Sequence, residues 1–303
     1  VVTLRIGYMG LGNMGGPLAQ RLLLRHPLLV HDRDPAAVQR LVALGATAAT
    51  DAADLAARCD VLLLCLPTTE HVRSLVFGAR GIAGAARPGT LVLDQTTGDP
   101  VATRAMVPEL ESAGLDFVDA PVSGGPEAAH AGTISIMVGA TPELFARAEP
   151  VLRVISPKVF HAGAFGTGYV AKLANNMLFS ATRLATLEAV ALAAKNGIEP
   201  RRAAEILLAG SSRNFFMEHT LLPRILSGEL ASGFTLELAH KDVRLATQLG
   251  VETEVTLLIG NLVREFYQMC ISELGRDVQV NATALVMDRL AGTQMVPPEG
   301  ARG

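Results

Sequence analysis

The sequence predicts an α/β protein in two parts: a doubly wound N-terminal domain over residues 1–164, then an all-α C-terminal domain over 165–303 that begins with one long interdomain helix. Three observations predict it. Short apolar runs bounded by Gly, Pro or Asp alternate with amphipathic stretches through the first half. The punctuation then changes at the glycine-rich GAFGTG (163–168), which reads as a hinge. From Tyr169 to Asn196 there is neither Gly nor Pro, which permits a single helix of about 28 residues, roughly 42 Å at 1.5 Å per residue.

The apolar runs are LRIGYMG (4–10), LLVHD (28–32), VLLLCLP (61–67), TLVLDQT (90–96), DFVDAPV (116–122) and ISIMVG (134–139). Near-continuous apolar strands separated by helices such as PLAQRLLLR and PAAVQRLVALG indicate a parallel sheet covered on both faces. In the second half EPRRAAEILLAG, GFTLELAHKDVRLATQLG and VTLLIGNLVREFYQMCISEL read as helices with Gly or Pro breaks. The tail GTQMVPPEGARG reads as frayed, and no internal repeat is visible.

Composition excludes several classes. The chain has 303 residues, half of them apolar, enough for a large core. A net charge of −3 gives no electrostatic case for nucleic acid or an anionic membrane as partner. No uninterrupted apolar run approaches the roughly 20 residues of a membrane span. Val1 leads straight into a strand pattern without a signal peptide ahead of it, so the expected location is cytoplasmic. Cys59, Cys65 and Cys270 form no CxxC pair and read as small core hydrophobes. His31, His71, His130, His161, His219 and His240 make no HxxxH or HExxH spacing, so no metal site is expected. His240 reads as structural. Ser123 lies in no GxSxG elbow, which disfavours a hydrolase.

Gly10-Leu11-Gly12-Asn13-Met14-Gly15 matches GxGxxG directly after a strand and at the opening of a helix, the context that gives the pattern meaning. The first glycine permits the tight turn, the second lets the backbone approach a pyrophosphate, and the third lets helix and strand pack closely. The helix N-terminus then faces the phosphates. Asp32 stands at the end of the next strand, 17 residues after Gly15, where a carboxylate can bond ribose hydroxyls. It repels a 2′-phosphate and favours NAD; Arg33 beside it could stack on adenine or bind that phosphate, so NADP stays possible. Leu66, Pro67 and Thr68, and Thr96 and Thr97, end two further strands and are expected along the same crevice.

Two segments point to chemistry. Ser123-Gly124-Gly125 follows a strand, where successive backbone N–H groups beside a hydroxyl can hold a carboxylate. Lys172, Asn175, Asn176 and Phe179 stand at i, i+3, i+4 and i+7, on one helical face. Alone, such a lysine reads as snorkelling from a helix end. Its place just after the nucleotide domain and its apolar flanks suggest instead a buried helix whose first turns lie at an interdomain cleft. There an ammonium can hydrogen-bond a substrate carbonyl and stabilise the alkoxide as hydride arrives; in reverse, the amine accepts the hydroxyl proton. Burial, which disfavours the charged form of lysine, would bring it nearer to base chemistry at neutral pH. Asn176 would orient the lysine or the substrate, and Asn175 has no assigned role.

GLGNMG, DQTTGDP, DAPVSGG, GTGYVAKLANN and FTLELAHKD occur in the order seen in the β-hydroxyacid dehydrogenase family, which the whole chain resembles. That family includes 3-hydroxyisobutyrate dehydrogenases and tartronate semialdehyde reductases. The resemblance implies a Rossmann domain, a long interdomain helix, an all-α domain and a homodimer or homotetramer. It implies that Lys172 is the catalytic acid/base with Asn176 as helper, and that Ser123, Gly124 and Gly125 bind the substrate carboxylate. It also implies that Thr97 lies near nicotinamide and substrate, and that Lys241, a cofactor contact, and Asp242 close the site from the helical domain. The family commonly has Ser-Thr where this chain has Thr96-Thr97, which keeps a hydroxyl. SSRNFFMEH (211–219) is expected near the distal end of the substrate; Arg213 and Asn214 either bind a second polar group there or belong to a surface loop. The expected activity is NAD(P)-dependent interconversion of a small 3-hydroxy acid and its semialdehyde. Alternatives are a semialdehyde reductase working in the reductive direction and a non-catalytic dinucleotide-binding protein. Imine reduction on this scaffold is disfavoured by the retained Lys172.

Overall fold

The computed structural model describes residues 4–298; Val1 and the last residues of the tail lie outside them. The chain divides into two compact units, Val1–Lys172 and Leu173–Gly303.

The first unit is built on a nine-stranded sheet. In chain order its elements are β1 (Ile6–Met9), α1 (Gly15–Leu23), β2 (Leu28–His31), α2 (Pro35–Val42), β3 (Thr47–Ala48), α3 (Ala52–Arg58), β4 (Val61–Leu64), α4 (Thr69–Phe77) and β5 (Leu91–Asp94). There follow α5 (Pro100–Arg104), α6 (Val107–Ser112), β6 (Asp116–Asp119), β7 (Val122–Ser123), α7 (Gly125–Ala131), β8 (Ser135–Gly139), α8 (Pro142–Ile155) and β9 (Val159–Gly163). The strand order is β3-β2-β1-β4-β5-β6-β8-β7, with β9 on β8. Strands β1 to β6 run parallel. The chain reverses direction across the sheet between β1 and β4, the switch point at which doubly wound sheets open a crevice.

Alternation along the strands splits the core in two. Ile6, Tyr8, Val61, Leu63, Leu91 and Leu93 join one buried cluster with α1 and α8. Met9, Leu62, Leu64 and Val92 join the other with α3 and α4. The sheet is mixed rather than wholly parallel. β6 and β7 lie in one register against an antiparallel β8, Asp119 opposite Gly139 and Ser123 opposite Ser135. DFVDAPV is therefore one run interrupted at Ala120-Pro121. The two-residue β3 and the largely exposed β9 lack the buried apolar continuity that marks the other strands.

The second unit contains most of α9 (Thr167–Lys195, 29 residues), with α10 (Pro200–Ala209), α11 (Leu236–Glu252), α12 (Leu258–Leu274) and α13 (Thr283–Ala291). The boundary between units falls inside α9, so its first turns, with Tyr169 and Lys172, belong to the sheet unit. Among the described residues α9 is long and apolar enough to cross a membrane by length and composition. Its apolarity is accounted for by the helical core, which Leu184, Leu187, Val190 and Ala191 enter. The expectation of a buried helix is corrected in part: Leu178 and Leu192 are exposed, because within its own chain the helix is covered on one side.

Two further expectations change. The tail is anchored as far as Val296, since the buried Asp288 carboxylate accepts the amides of Met295 and Val296. The hinge is pinned: the Gly166 amide is bonded to Asp119, and a Cβ at Gly168 would lie 2.4 Å from the Met137 carbonyl oxygen.

Candidate active site

The turn after β1 is shaped by three glycines under different constraints. Gly10 has φ +88° and abuts the Cys65 carbonyl oxygen, which an added Cβ would approach to 2.2 Å. At Gly15 an added Cβ would meet the Gly10 oxygen at 1.8 Å, so only glycine lets α1 start this close to the strand. Gly12 differs, because nothing lies within 4 Å of a Cβ there. The fold does not require that glycine; open space before a helix N-terminus does, if a phosphate is to reach the backbone. α1 also lacks the side-chain cap that α2, α3, α4, α5 and α8 take from Asp34, Asp51, Thr68, Asp99 and Thr141. Asn13 and Met14 complete this turn. The residues present fit a dinucleotide.

Asp32 holds the turn as well as facing it. Its carboxylate accepts the Leu11 amide at 2.5 Å and the Asp34 amide at 2.8 Å. Arg33 next to it is exposed. At the end of β4 the Leu66 amide donates to Thr96 Oγ1 at 3.0 Å, tying the ends of β4 and β5 together. Pro67 is exposed, Thr97 is half-buried, and Thr68 caps α4.

Ser123 ends β7, and Gly124 and Gly125 follow with φ +142° and +76°. These two left-handed positions turn the chain directly into α7, which has no side-chain cap. Beyond Gly125 an added Cβ meets nothing within 4 Å.

Lys172 is half-buried and one turn into α9. Its charge acts on the Cys65 thiol after β4, in opposition to Asp94. Burial dominates at all three cysteines and pushes the thiols up, Cys59 to about 11 and Cys65 and Cys270 to about 12, which suits inert packing groups. Among the described residues no group of three His, Cys, Asp or Glu could hold a metal ion.

The helical unit brings a second set together. Asn176 Nδ2 donates to Asp242 Oδ2 at 2.6 Å, and Asn175 Nδ2 donates to Asn176 Oδ1 at 3.1 Å. A carboxylate only accepts, so Asp242 fixes which end of the Asn176 amide faces it. Lys241 Nζ stands 3.1 Å from Asp242 Oδ1, an ion pair whose orientation makes no hydrogen bond to that oxygen. Asn175 thus gains a place as the residue that holds the other end of Asn176. Arg213 forms an exposed pair with Glu218. Asn214 is used locally, donating to Thr186 and accepting the Met217 amide, which starts a wide helical turn at Met217–Leu221. Burial lowers the pKa of His240.

Sequence reasoning assigned no role to Asp94, Asp119 and Tyr169. The available signal was a carboxylate closing an otherwise apolar strand, LVLD and DFVD.

Known proteins resemble this chain over both units. Residues 5–163 match the NAD binding domain of 6-phosphogluconate dehydrogenase, and 166–287 match the NAD-binding domain of NADP-dependent 3-hydroxyisobutyrate dehydrogenase. The chain is 34% identical over 295 residues to 2-(hydroxymethyl)glutarate dehydrogenase of Eubacterium barkeri, covering 97% of this chain and 98% of that one. It is 37% identical over 271 residues to 3-hydroxyisobutyrate dehydrogenase of Pseudomonas aeruginosa, covering 87% and 91%. A solved structure of Mycobacterium tuberculosis 3-hydroxyisobutyrate dehydrogenase with L-serine superposes with a TM-score of 0.84 at 31% identity, covering 94% and 99%.

Proposed function

The chain belongs to the β-hydroxyacid dehydrogenase family and is an NAD(P)-dependent hydroxy acid dehydrogenase, and on that premise we propose that it interconverts a 3-hydroxy acid and its semialdehyde with Lys172 as general acid/base. The observation that carries this reading is Lys172 itself: an amine one turn into α9, its charge acting at the end of β4, on the helix that carries Asn176 one turn later. The relatives support the substrate class. 2-(Hydroxymethyl)glutarate, 3-hydroxyisobutyrate and L-serine all carry a hydroxymethyl group on the carbon that bears the carboxylate.

In this reading the Ser123 hydroxyl and the amides of the Gly124-Gly125 turn hold the substrate carboxylate, and Thr97 lines the site. In reduction the Lys172 ammonium donates a hydrogen bond to the aldehyde oxygen and gives its proton to the developing alkoxide. In oxidation the neutral amine takes the hydroxyl proton. Asn176, fixed at both ends of its amide, keeps the helix face in register. Nicotinamide, when bound, takes or supplies the hydride. The turn Gly10–Gly15 would hold its pyrophosphate and Asp32 the ribose, with Leu66, Pro67 and Lys241 as further contacts. We assign NAD as the preferred cofactor, because the Asp32 carboxylate would repel a 2′-phosphate.

The test is a spectrophotometric screen of C3–C6 hydroxy acids and semialdehydes with both cofactors, run on the wild type and on Lys172→Ala. Turnover should fall by roughly 10²- to 10⁴-fold in the variant, the usual contribution of proton transfer by a positioned group, while cofactor binding changes little. Normal turnover by Lys172→Ala refutes the assignment, and no absorbance change with any substrate favours a non-catalytic dinucleotide-binding protein.

A further inference from the structure

Two buried carboxylates converge on the start of α9. In the parallel register Met9, Leu64, Asp94 and Asp119 stand level across β1, β4, β5 and β6, so Asp94 and Asp119 are neighbours on one face of the sheet. Asp119 is fully buried; its Oδ1 accepts the Gly166 amide at 2.7 Å and its Oδ2 the Tyr169 amide at 2.9 Å. Asp94, also buried, accepts the Tyr169 hydroxyl on Oδ2 at 2.5 Å and the Thr96 amide on Oδ1 at 3.0 Å. Tyr169 is therefore held twice, by its backbone N–H from one carboxylate and by its hydroxyl from the other.

The space for this arrangement is made by glycines. A Cβ at Gly139 would come within 2.4 Å of the Asp119 carboxylate, and one at Gly168 within 2.7 Å. At Gly98 a Cβ would lie 2.9 Å from the Tyr169 ring. Two adjacent carboxylates are expensive to bury; burial outweighs the amide bonds and, with a smaller push from the neighbouring Asp94 charge, raises Asp119 to about 6. Capping alone does not need this arrangement, since Asp34 and Thr141 cap α2 and α8 from exposed positions.

The double hold fixes the first turn of α9 against both sliding and rotation. Lys172 is three residues beyond Tyr169, on the same helical face. An Nζ about 8 Å from a helix axis moves by roughly 1.4 Å when the helix rotates about 10°. A displacement of about 1 Å at a reacting group can cost about 100-fold in rate.

We propose that Asp119 and the Asp94–Tyr169 pair are positioning residues that fix where the first turn of α9 delivers the Lys172 amine. The inference rests on the reading of Lys172 as acid/base. The experiment compares the full-length wild type with Tyr169→Phe, Asp119→Asn and Lys172→Ala, measuring kcat, the KM of the cofactor, and the pH dependence of kcat. Tyr169→Phe keeps the ring and the amide bond to Asp119 and removes only the hydroxyl, so it tests the Asp94–Tyr169 pair even if Asp119→Asn does not fold. The expected result is a fall in kcat of about 10- to 100-fold with cofactor KM within about threefold, and a displaced pH limb. The proposal is overturned if Tyr169→Phe keeps kcat within twofold of wild type. It is equally overturned if its kcat falls while the pH limb stays in place, as a general loss of structure would give. Full turnover in Lys172→Ala is a different failure, that of the acid/base assignment itself.

Discussion

α9 carries buried polar groups in two places, and they are satisfied to different degrees. At its first turn the oxygens of Asp94 and Asp119 all accept hydrogen bonds from Thr96, Gly166 and Tyr169. Eleven residues after Lys172, in the helical unit, Arg183 is buried with its guanidinium over the rings of Phe216 (4.6 Å) and Phe179 (5.6 Å). Its Nη1 donates to Asn281 Oδ1 at 2.8 Å and the guanidinium lies beside the Tyr267 hydroxyl, but Nε and Asn281 Nδ2 find no protein acceptor among the described residues. The difference is instructive. A carboxylate is met by main-chain amides that helix starts and strand ends leave available, whereas a guanidinium needs several acceptors and here has π faces, one carbonyl and a neighbouring hydroxyl. The complete network holds a geometry; the incomplete one fills space.

The largest expected effect concerns the cost of the complete network. Asp119 binds its proton more tightly in the folded chain, at about 6, than in an unfolded one at about 3.9. Between those values the native state holds more protons than the unfolded state, so stability falls as pH rises from about 4 to 6. The loss amounts to about 3 kcal/mol at order of magnitude. Denaturant unfolding from pH 4 to 8 should show this slope in the wild type and not in Asp119→Asn. Parallel pH profiles for the two would mean that the carboxylate stays ionised and fully compensated.

A smaller effect is expected in the helical unit, where Asp242 fixes the Asn176 amide and faces Lys241. Asp242→Ala removes the acceptor and should lower kcat about tenfold, the worth of one well-aligned hydrogen bond. Asp242→Asn can still accept from Asn176 through its carbonyl and should lose only about threefold. If both variants lose equally, the charge opposite Lys241 matters and the hold on Asn176 does not.

The contrast also explains what could be read from the sequence. The Gly10–Gly15 turn, the strand-end Asp32 and the long helix were legible because each imposes a local pattern: glycine spacing, an acid at a strand end, the lack of breakers. The pairing of Asn176 with Asp242 joins residues 66 positions apart, and the grip of Asp119 on Gly166 joins residues 47 apart. Such contacts are set by packing, which leaves no periodic trace. GAFGTG read as a hinge because glycine usually gives freedom; here Gly168 makes room for a carboxylate and the segment is held. Arg183 was equally hidden, as one charge in a helix that could have faced water.

Arg183 gives the smallest expected effect and the clearest contrast. Burial lowers the pKa of its guanidinium below the usual value, with the neighbouring Tyr267 hydroxyl acting in the other direction, and among the described residues no carboxylate pairs with it. Replacing a buried ion with an apolar side chain of similar length is often neutral or stabilising. Arg183→Met keeps an unbranched chain between the rings of Phe179 and Phe216, where sulfur also packs well. It removes the Nε donor that has no acceptor, but leaves Asn281 Oδ1 without its partner. These terms oppose each other at about 1–3 kcal/mol each, so thermal unfolding should show a net change within about 1 kcal/mol. The same treatment of Asp119, its replacement by leucine, should cost several times more, because two main-chain amides would lose their acceptor. A loss of more than about 3 kcal/mol in Arg183→Met would mean that the π faces and the single carbonyl hold the cation as firmly as the amides hold the carboxylate.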